Sequence, residues 1–593
     1  MNKLIMMIGA AAVAVGALLP FDVLAAASTP PSTLVDLTTN GSNPSGSVAS
    51  SSDYSSTYNA NQYNGTKAFD GVENKKSENR WLAAKAANMW VIYTFKAATV
   101  VDAIRIYLPN YDTDAARAPK NWTFLGSNDK STWNDVLYDT STQGAETDWT
   151  KGGSRYYKFV NTTAYKYYKF NCTANNGDAN CMQVLEIEFY CIGGAESTWA
   201  GSGTTDLLSD VENWGGTSMP GSEYGAYIDD TGSIPAVVPD GLTVYKNLRV
   251  GNGSGKSAKV VQTNGMVRIL GGGVVIGREG SVGEYSISGG EFIATSATTY
   301  LGARSGKDTG ILDISGTADV KFKDVRLCSP EPSAVTTAKI NVSENGAFSF
   351  TEMNMGHDSA NTTSIVHQTG GTVSGSTYLR IGHASKAVGV YEMTGGTCAI
   401  ADQVTVGRLG KGTLSVSGAG TVLTAKTVRV GLTEAGSKGT GTLVVTNGGE
   451  IATTQVYAGA GASATNQATV TFNGGKLTAT AANDAFLKDF SNIQLEAGGL
   501  TIDTQGYALG ISNCTFNVTG NGKITVVGGG TVTFANVMVC LPVKPSSAYV
   551  FAETDGTFSG LPNLGGVKGC KVSLSDDLKR VTVSPRGLII SFF

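Results

Sequence analysis

The chain is poor in charge and in proline. Of its 593 residues, 16% are Asp, Glu, Lys or Arg, the formal net charge is -4, and there are 15 prolines. Without a Lys/Arg cluster it lacks the electrostatic footprint that nucleic acid or an anionic membrane surface requires, so no nucleic acid and no directly bound membrane is expected. No amphipathic helical pattern of ten residues follows the N-terminus, which argues against helical and α/β architectures. None of the eight cysteines has zinc spacing. What is plentiful is glycine, at 76 residues, together with Thr, Ser and Val. That mixture suits many short strands joined by turns, so the fold class is all-β. A chain of this length exceeds one ordinary core, and two or more domains are expected.

Residues 1–27 read MNKLIMMIGAAAVAVGALLPFDVLAAA, with Lys3 ahead of an apolar run from Leu4 to Leu19 and small residues at Ala25 and Ala27. This is the pattern of a secretory signal peptide. The run falls short of the roughly 20 residues that a membrane-spanning helix needs. Export is therefore expected, to the exterior or outer cell surface of a Gram-negative bacterium. Export makes disulfides chemically possible. Proximity suggests Cys172 with Cys181 across the TANNGDAN loop, and Cys540 with Cys570.

Residues 28–56, rich in Ser, Thr, Pro and Asn, read as a linker running into a first strand. Residues 57–192 carry compact alternating segments: WVIYTF, VVDAIRIYL, NWTFLGS, YYKFV, YKYYKFNC and VLEIEFY. Turns bound them, as in a β-sandwich. Within this region AFDGVENKKSENRWLAA, residues 68–84, places an Asp-Gly turn and a long polar loop between Phe69 and Trp81. Trp81 and Trp90 read as core.

The order AFDG, NRW, W-VIYTF, RAPKNWTFLGSNDKSTW, RYYKF and Q-VLEIEFY resembles the discoidin-type domain, also called the coagulation factor C or galactose-binding-like domain. The resemblance covers about Gly41 to Cys191. It implies a jelly-roll sandwich that binds a glycan or polysaccharide with loops at one end, and a structural calcium. Carried over by motif, the calcium set is Ala68, Asp70, Val72, Ser77 and Glu186. Calcium prefers six to eight hard oxygens, which carboxylates and loop carbonyls can supply. The loop between Gly71 and Trp81 is longer than is usual in that family. Tyr63, Asn110, Tyr111, Arg117 and Asn176 lie in loops of the sugar-contacting kind. A Tyr face stacks on sugar C–H groups while Arg and Asn bond hydroxyls.

Beyond Cys191 the texture changes. Residues 193–245 contain W-x-G and N-W-G elements like those that lead into passenger-type β-helices. Then a period emerges: Gly251, Gly277, Gly302, Gly356, Gly382, Gly407 and Gly431 each follow an apolar residue, at gaps of 26, 25, 54, 26, 25 and 24. The gap of 54 is two units. A second series, Gly289, Gly316, Gly370, Gly395, Gly418, Gly448 and Gly474, keeps nearly the same spacing. Periods of this size, with short strands and no helix, mean a parallel β-helix over 246–536 of roughly nine coils, followed by a C-terminal β cap over 537–593. The repeats resemble those of autotransporter passengers. After Asn536 only 57 residues follow, too few for the membrane barrel of that family.

Equal register stacks one column of the rod as Arg278, Ala303, Ser329, His357, His383, Arg408 and Leu432. Two histidines make a partial metal or acid/base site. No carboxylate occupies that column, so no catalytic residue is assigned and the chain is not expected to be an enzyme. The functional expectation is a secreted or surface-exposed carbohydrate-binding, adhesive protein, its glycan-binding module carried on a β-helical stalk. An extracellular polysaccharide lyase or hydrolase with its site on the β-helix is the alternative, and a purely structural surface protein is a third reading.

Overall fold

The structure is a computed structural model describing residues 36–38, 46–51, 63–73, 80–110, 114–193, 196–216, 219–303, 307–329, 336–357, 362–434, 437–459 and 467–586. The signal-peptide reading and the final residues 587–593 lie outside the described residues. Strands make up 59% of the described residues and helix 3%.

The first ten strands form the sandwich: β1 Ser47–Ser50, β2 Trp81–Ala84, β3 Met89–Thr99, β4 Ala103–Tyr107, β5 Pro119–Ser127, β6 Asp135–Asp139, β7 Ser154–Lys158, β8 Tyr165–Asn175, β9 Cys181–Val184 and β10 Glu186–Tyr190. One sheet runs β1-β3-β8-β5-β6, a second β10-β4-β7, and β2 pairs with β9. All these pairings are antiparallel. Alternation sets the inward faces, and aromatic rings fill the space between them. Phe189 sits edge-on to Phe69, Tyr93 and Phe124, with ring centroids 5.1 to 5.7 Å apart. Trp81 is fully buried, as the sequence suggests. Trp90 is not core: it lies half-exposed on β3, with Lys169 Nζ 5.4 Å from its ring centroid. Its neighbours Met89 and Val91 take the inward positions, because successive side chains on a strand point to opposite faces.

From Ser197 onward the chain winds into a parallel β-solenoid of about 14 turns. The sequence count of nine coils falls short because the glycine marker fades after Gly474, where coils continue through inward Leu477, Ile502 and Val526 in register. At about 4.8 Å per coil the rod is on the order of 65 Å long. Its core is built from stacked columns. Ile228, Val250, Ile276, Leu301, Leu327, Met355, Ile381, Val406, Val430 and Ala458 occupy equivalent positions in successive coils, and all are buried. Each such side chain contributes about 2 kcal/mol of apolar burial, most of it available only when the neighbouring coil is in place.

Two buried glutamines inside the rod are paired with tyrosines. Tyr285 donates its hydroxyl to Gln262 Oε1 at 2.7 Å, and Gln262 Nε2 donates to the Gly265 and Glu291 carbonyls. Four coils on, Tyr391 and Gln368 repeat the arrangement at 2.8 Å. A buried amide so satisfied carries little penalty. At the near end Trp199 stacks edge-on to Trp214 at 5.4 Å over the first coils. At the far end Arg580–Pro585 pairs antiparallel with Tyr549–Thr554 and Cys570–Leu574, so the last edge is folded back on itself. The two domains share a seam. Asp102 accepts from the Ile192 and Gly193 amides at 2.7 and 2.8 Å, while Val244 packs into the sandwich core and Val100 into that of the rod.

All eight cysteines are free thiols. The pairing expected between Cys172 and Cys181 is not formed because the two point into different places: Cys172 lies in the main core between the sheets, and Cys181 packs with Tyr63 and Leu82. Nor are Cys540 and Cys570 bridged. A reducing agent is accordingly expected to leave the melting temperature unchanged. A fall of more than about 4 °C, the size of a 1 kcal/mol loss in a small domain, would show that a bridge carries stability.

Candidate functional site

Three loops meet at one end of the sandwich. They follow β2, β4 and β8, and the chain pins them to one another with main-chain bonds. Lys85 N donates to the Asn180 carbonyl at 2.9 Å, Asp178 N to that of Ala116 at 3.1 Å, and Asn176 N to that of Ala118 at 3.0 Å. Side chains add to this. Lys85 Nζ donates to the Asp178 carbonyl at 2.7 Å, and Arg117 Nε reaches Asp178 Oδ2 at 3.1 Å. Burial opposes the charge on Asp178, but the amides of Asn180 and Cys181 together with Arg117 hold its carboxyl below the usual range.

The sequence candidates divide here. Arg117 and Asn176 are brought together by the Asp178 loop. Both are half-exposed, and the Nδ2 of Asn176 is buried without a hydrogen-bond partner among the described residues. Asn110 is exposed in the same β4–β5 connection as Arg117, and Tyr111 lies outside the described residues. The open stacking face expected of Tyr63 is not there. Its ring is 6% exposed, packed on Leu82 and Cys181, with the Arg80 guanidinium 5.4 Å from its centroid. Tyr63 is the floor of this end, and Arg80 lies over it. Arg80, Lys85 and Asp178 were not singled out from the sequence. The available signals were the position of Arg80 beside Trp81 in NRW and of Asp178 in the turn-rich NGDAN.

On the AFDG turn, Asp70 and Glu186 come together. Gly71 N donates to Glu186 Oε1 at 3.0 Å, Val72 N to Asp70 Oδ1 at 3.2 Å, and Lys67 Nζ lies 3.3 Å from Asp70 Oδ2. Glu186 is fully buried, and its Oε2 has no hydrogen-bond partner among the described residues. Burial, and after it the negative neighbours Asp36, Asp70 and Glu188, push its carboxyl up to about 10. Ala68 is buried, Val72 half-buried, and Ser77 lies outside the described residues. Among the described residues no group of three or more His, Cys, Asp or Glu could hold a metal ion. A site here would draw on two carboxylates plus main-chain oxygens, a donor set that suits calcium. A buried carboxylate oxygen without a donor is the group such an ion would satisfy.

On the rod, Arg278, Ala303 and Ser329 stand in register as expected. The rings of His357 and His383 stack with centroids 5.6 Å apart and planes 13° from parallel, and Arg408 Nη1 lies 3.4 Å from His383 Nε2.

Residues 47–187 match the F5/8 type C domain family, which is the discoidin-type resemblance read from the sequence. Among solved structures, chitosan-binding module 1 of a chitosanase/glucanase from Paenibacillus sp. IK-5 is 20% identical, covering 26% of this chain and 100% of that one, with a TM-score of 0.20. CpGH89CBM32-5 from Clostridium perfringens, in complex with GalNAc-β-1,3-galactose, is 13% identical over 24% of this chain and 94% of that one, with a TM-score of 0.20. An F5/8 type C domain from Bacteroides fragilis is 15% identical over 24% and 89%, at 0.19. No curated protein matches the chain.

Proposed function

We propose that the F5/8 type C domain binds a glycan at the loop end that carries Arg117, Asn176, Asn110, Arg80 and Lys85. The observation behind this is the convergence of three loops around Asp178, which holds Arg117 beside an unspent amide donor on Asn176. Such a set can bond adjacent sugar hydroxyls, and Tyr63 beneath it gives the rim a rigid floor. The family match supports the reading, since domains of this type bind sugars with loops at one end. On this view the chain is an exported protein, secreted or held at the outer surface of a Gram-negative cell. The rod displays the module and serves adhesion, not catalysis. Calcium belongs at Asp70 and Glu186, with main-chain oxygens of Ala68 and Val72. Bound there, it would neutralise the two carboxylates and fix the AFDG turn against β10.

The test uses the full chain on an array of glycans that includes chitosan oligomers and GalNAc-β-1,3-galactose. Arg117→Ala and Asn176→Ala are expected to weaken binding at least tenfold, since each removes donors from a desolvated contact. Parent protein that retains no glycan, or variants that bind as tightly as the parent, would defeat the proposal. Release of reducing ends during the same incubation would favour the enzyme reading instead.

A further inference from the structure

The solenoid has a second surface of note. In successive coils the positions Tyr300, Arg326, Asn354, Arg380, Thr405, Arg429, Tyr457 and Lys488 are register partners. They form one outward column of cationic, aromatic and small polar side chains, one step per coil. Two residues earlier on the same face runs Glu352, Tyr378, Gln403, Thr427 and Gln455. Over this face lies an open hollow of ≈ 290 Å³ lined by Tyr378, Arg380, Gln403 and Arg429 of the two columns, with Arg408 and Leu432.

The cations along the column differ in how far they are committed. Arg326 is held by Asp324 at 2.7 Å, and Lys488 lies 3.6 Å from Asp489, so the two ends are neutralised locally. Arg380 is shared between Glu352 Oε2 at 3.1 Å and Asn354 Oδ1 at 3.0 Å, with its guanidinium 4.5 Å from the Tyr378 ring centroid. Arg429 has no carboxylate within ion-pair distance among the described residues. Its Nη2 donates to Thr405 Oγ1 at 3.3 Å, and its Nε is buried without a partner. Gln403 braces the floor, donating to Thr427 Oγ1 at 3.2 Å and to Tyr457 OH at 3.0 Å while accepting from Thr405 Oγ1 at 3.1 Å. Three guanidiniums thus face one hollow whose walls are held by a hydrogen-bonded network. The guanidinium fork matches a carboxylate or sulfate bidentately, and an unsatisfied buried N–H marks where such an oxyanion would sit.

We propose that this hollow binds an anionic glycan, its carboxylate or sulfate held by Arg429 and Arg408 and a sugar face resting on Tyr378. The inference does not depend on the loop end of the sandwich. A polymer is favoured over a lone anion because the column repeats along the rod at the coil spacing, so a regular chain laid on it meets Arg or Tyr at most steps. A nucleic acid is disfavoured because the column's other cations, Arg326 and Lys488, are already paired with carboxylates, leaving no extended field along it for a phosphate backbone.

The experiment measures retention of the full chain in gels containing a polyuronate, a sulfated dextran or unmodified dextran, and binding of an oligothymidylate in parallel. Retention by the polyuronate, the sulfated dextran or both is expected, with none by dextran, and it should weaken as salt rises. Retention by only one assigns the oxyanion as carboxylate or as sulfate. Arg408→Gln/Arg429→Gln is expected to lose at least tenfold in affinity, and Arg429→Lys, which keeps the charge but not the fork, to lose severalfold. Arg117→Ala should bind these probes as the parent does. The proposal is overturned if neither anionic glycan is retained, if the double variant or Arg429→Lys binds unchanged, or if the oligothymidylate binds more tightly than both glycans. A melting curve matching the parent shows that a loss in any variant is local.

Discussion

Replacing Glu186 by Gln is expected to make the calcium-free protein more stable at pH 8, not less. In the folded chain burial raises this carboxyl from 4.5 to about 10, so without metal it keeps its proton where the unfolded chain has lost it. A group whose folded pKa is raised contributes fully below the unfolded value, and that contribution is lost as pH climbs through the folded one. Stability of the metal-free fold should therefore fall by roughly 1 kcal/mol per pH unit between 4.5 and 10. Glu188, raised to about 8 by burial, steepens the fall over the lower part of that window. Gln is the neutral isostere and removes the Glu186 share of the slope. In chelator at pH 8 the gain should reach a few kcal/mol, read as a higher first melting transition of the full chain.

Calcium acts in the opposite sense. It binds the deprotonated form, so its stabilising effect should grow with pH, reaching about 3 kcal/mol when free calcium is a hundredfold above Kd. Glu186→Gln and Asp70→Asn should both abolish the calcium response. A Glu186→Gln protein that melts below the parent in chelator at pH 8 would refute the buried-carboxylate account. A parent whose melting ignores calcium would refute the metal site.

The second large effect concerns Gly407, at a corner of the rod. Its φ is +74°, and an added Cβ would stand 2.2 Å from the Thr440 carbonyl oxygen of the next coil. Ala there must adopt a left-handed backbone and also push two coils apart. At Gly420, φ is +82° and nothing lies within 4 Å of the added carbon, so Ala meets backbone strain alone. Gly420→Ala is expected to cost about 1 kcal/mol and Gly407→Ala about 3 kcal/mol or more. Denaturant melts of the two variants provide the comparison. Equal costs would mean that the corners are not set by the close approach of adjacent coils.

Much of this architecture is legible in the sequence because it depends on local, repeated constraints. Alternation in WVIYTF and YKYYKFNC marks strands, since a strand turns every second side chain inward. The series from Gly251 to Gly431 marks coils, since each turn of the rod needs a left-handed residue that only glycine adopts cheaply. Constant period was enough to place His357 over His383. Where the period lost its glycine, after Gly474, the count of coils failed.

What the tertiary structure alone decided depends on contacts between distant segments. Glu186 is an unremarkable carboxylate until the packed sandwich buries it completely, with Gly71, 115 positions away, donating to it. Arg117 becomes part of a rim through Asp178, 61 positions on, and Tyr63 becomes a floor because Arg80 covers it. The arginine column depends on register between coils whose lengths differ by bulges, as between Gln368 and Thr372, and a one-residue slip would have turned Arg429 inward. Composition and period determined a glycine-turned β rod behind an all-β sandwich. Burial and register determined which of its charges have chemistry to do, because desolvation is a property of the packed chain and not of any segment of it.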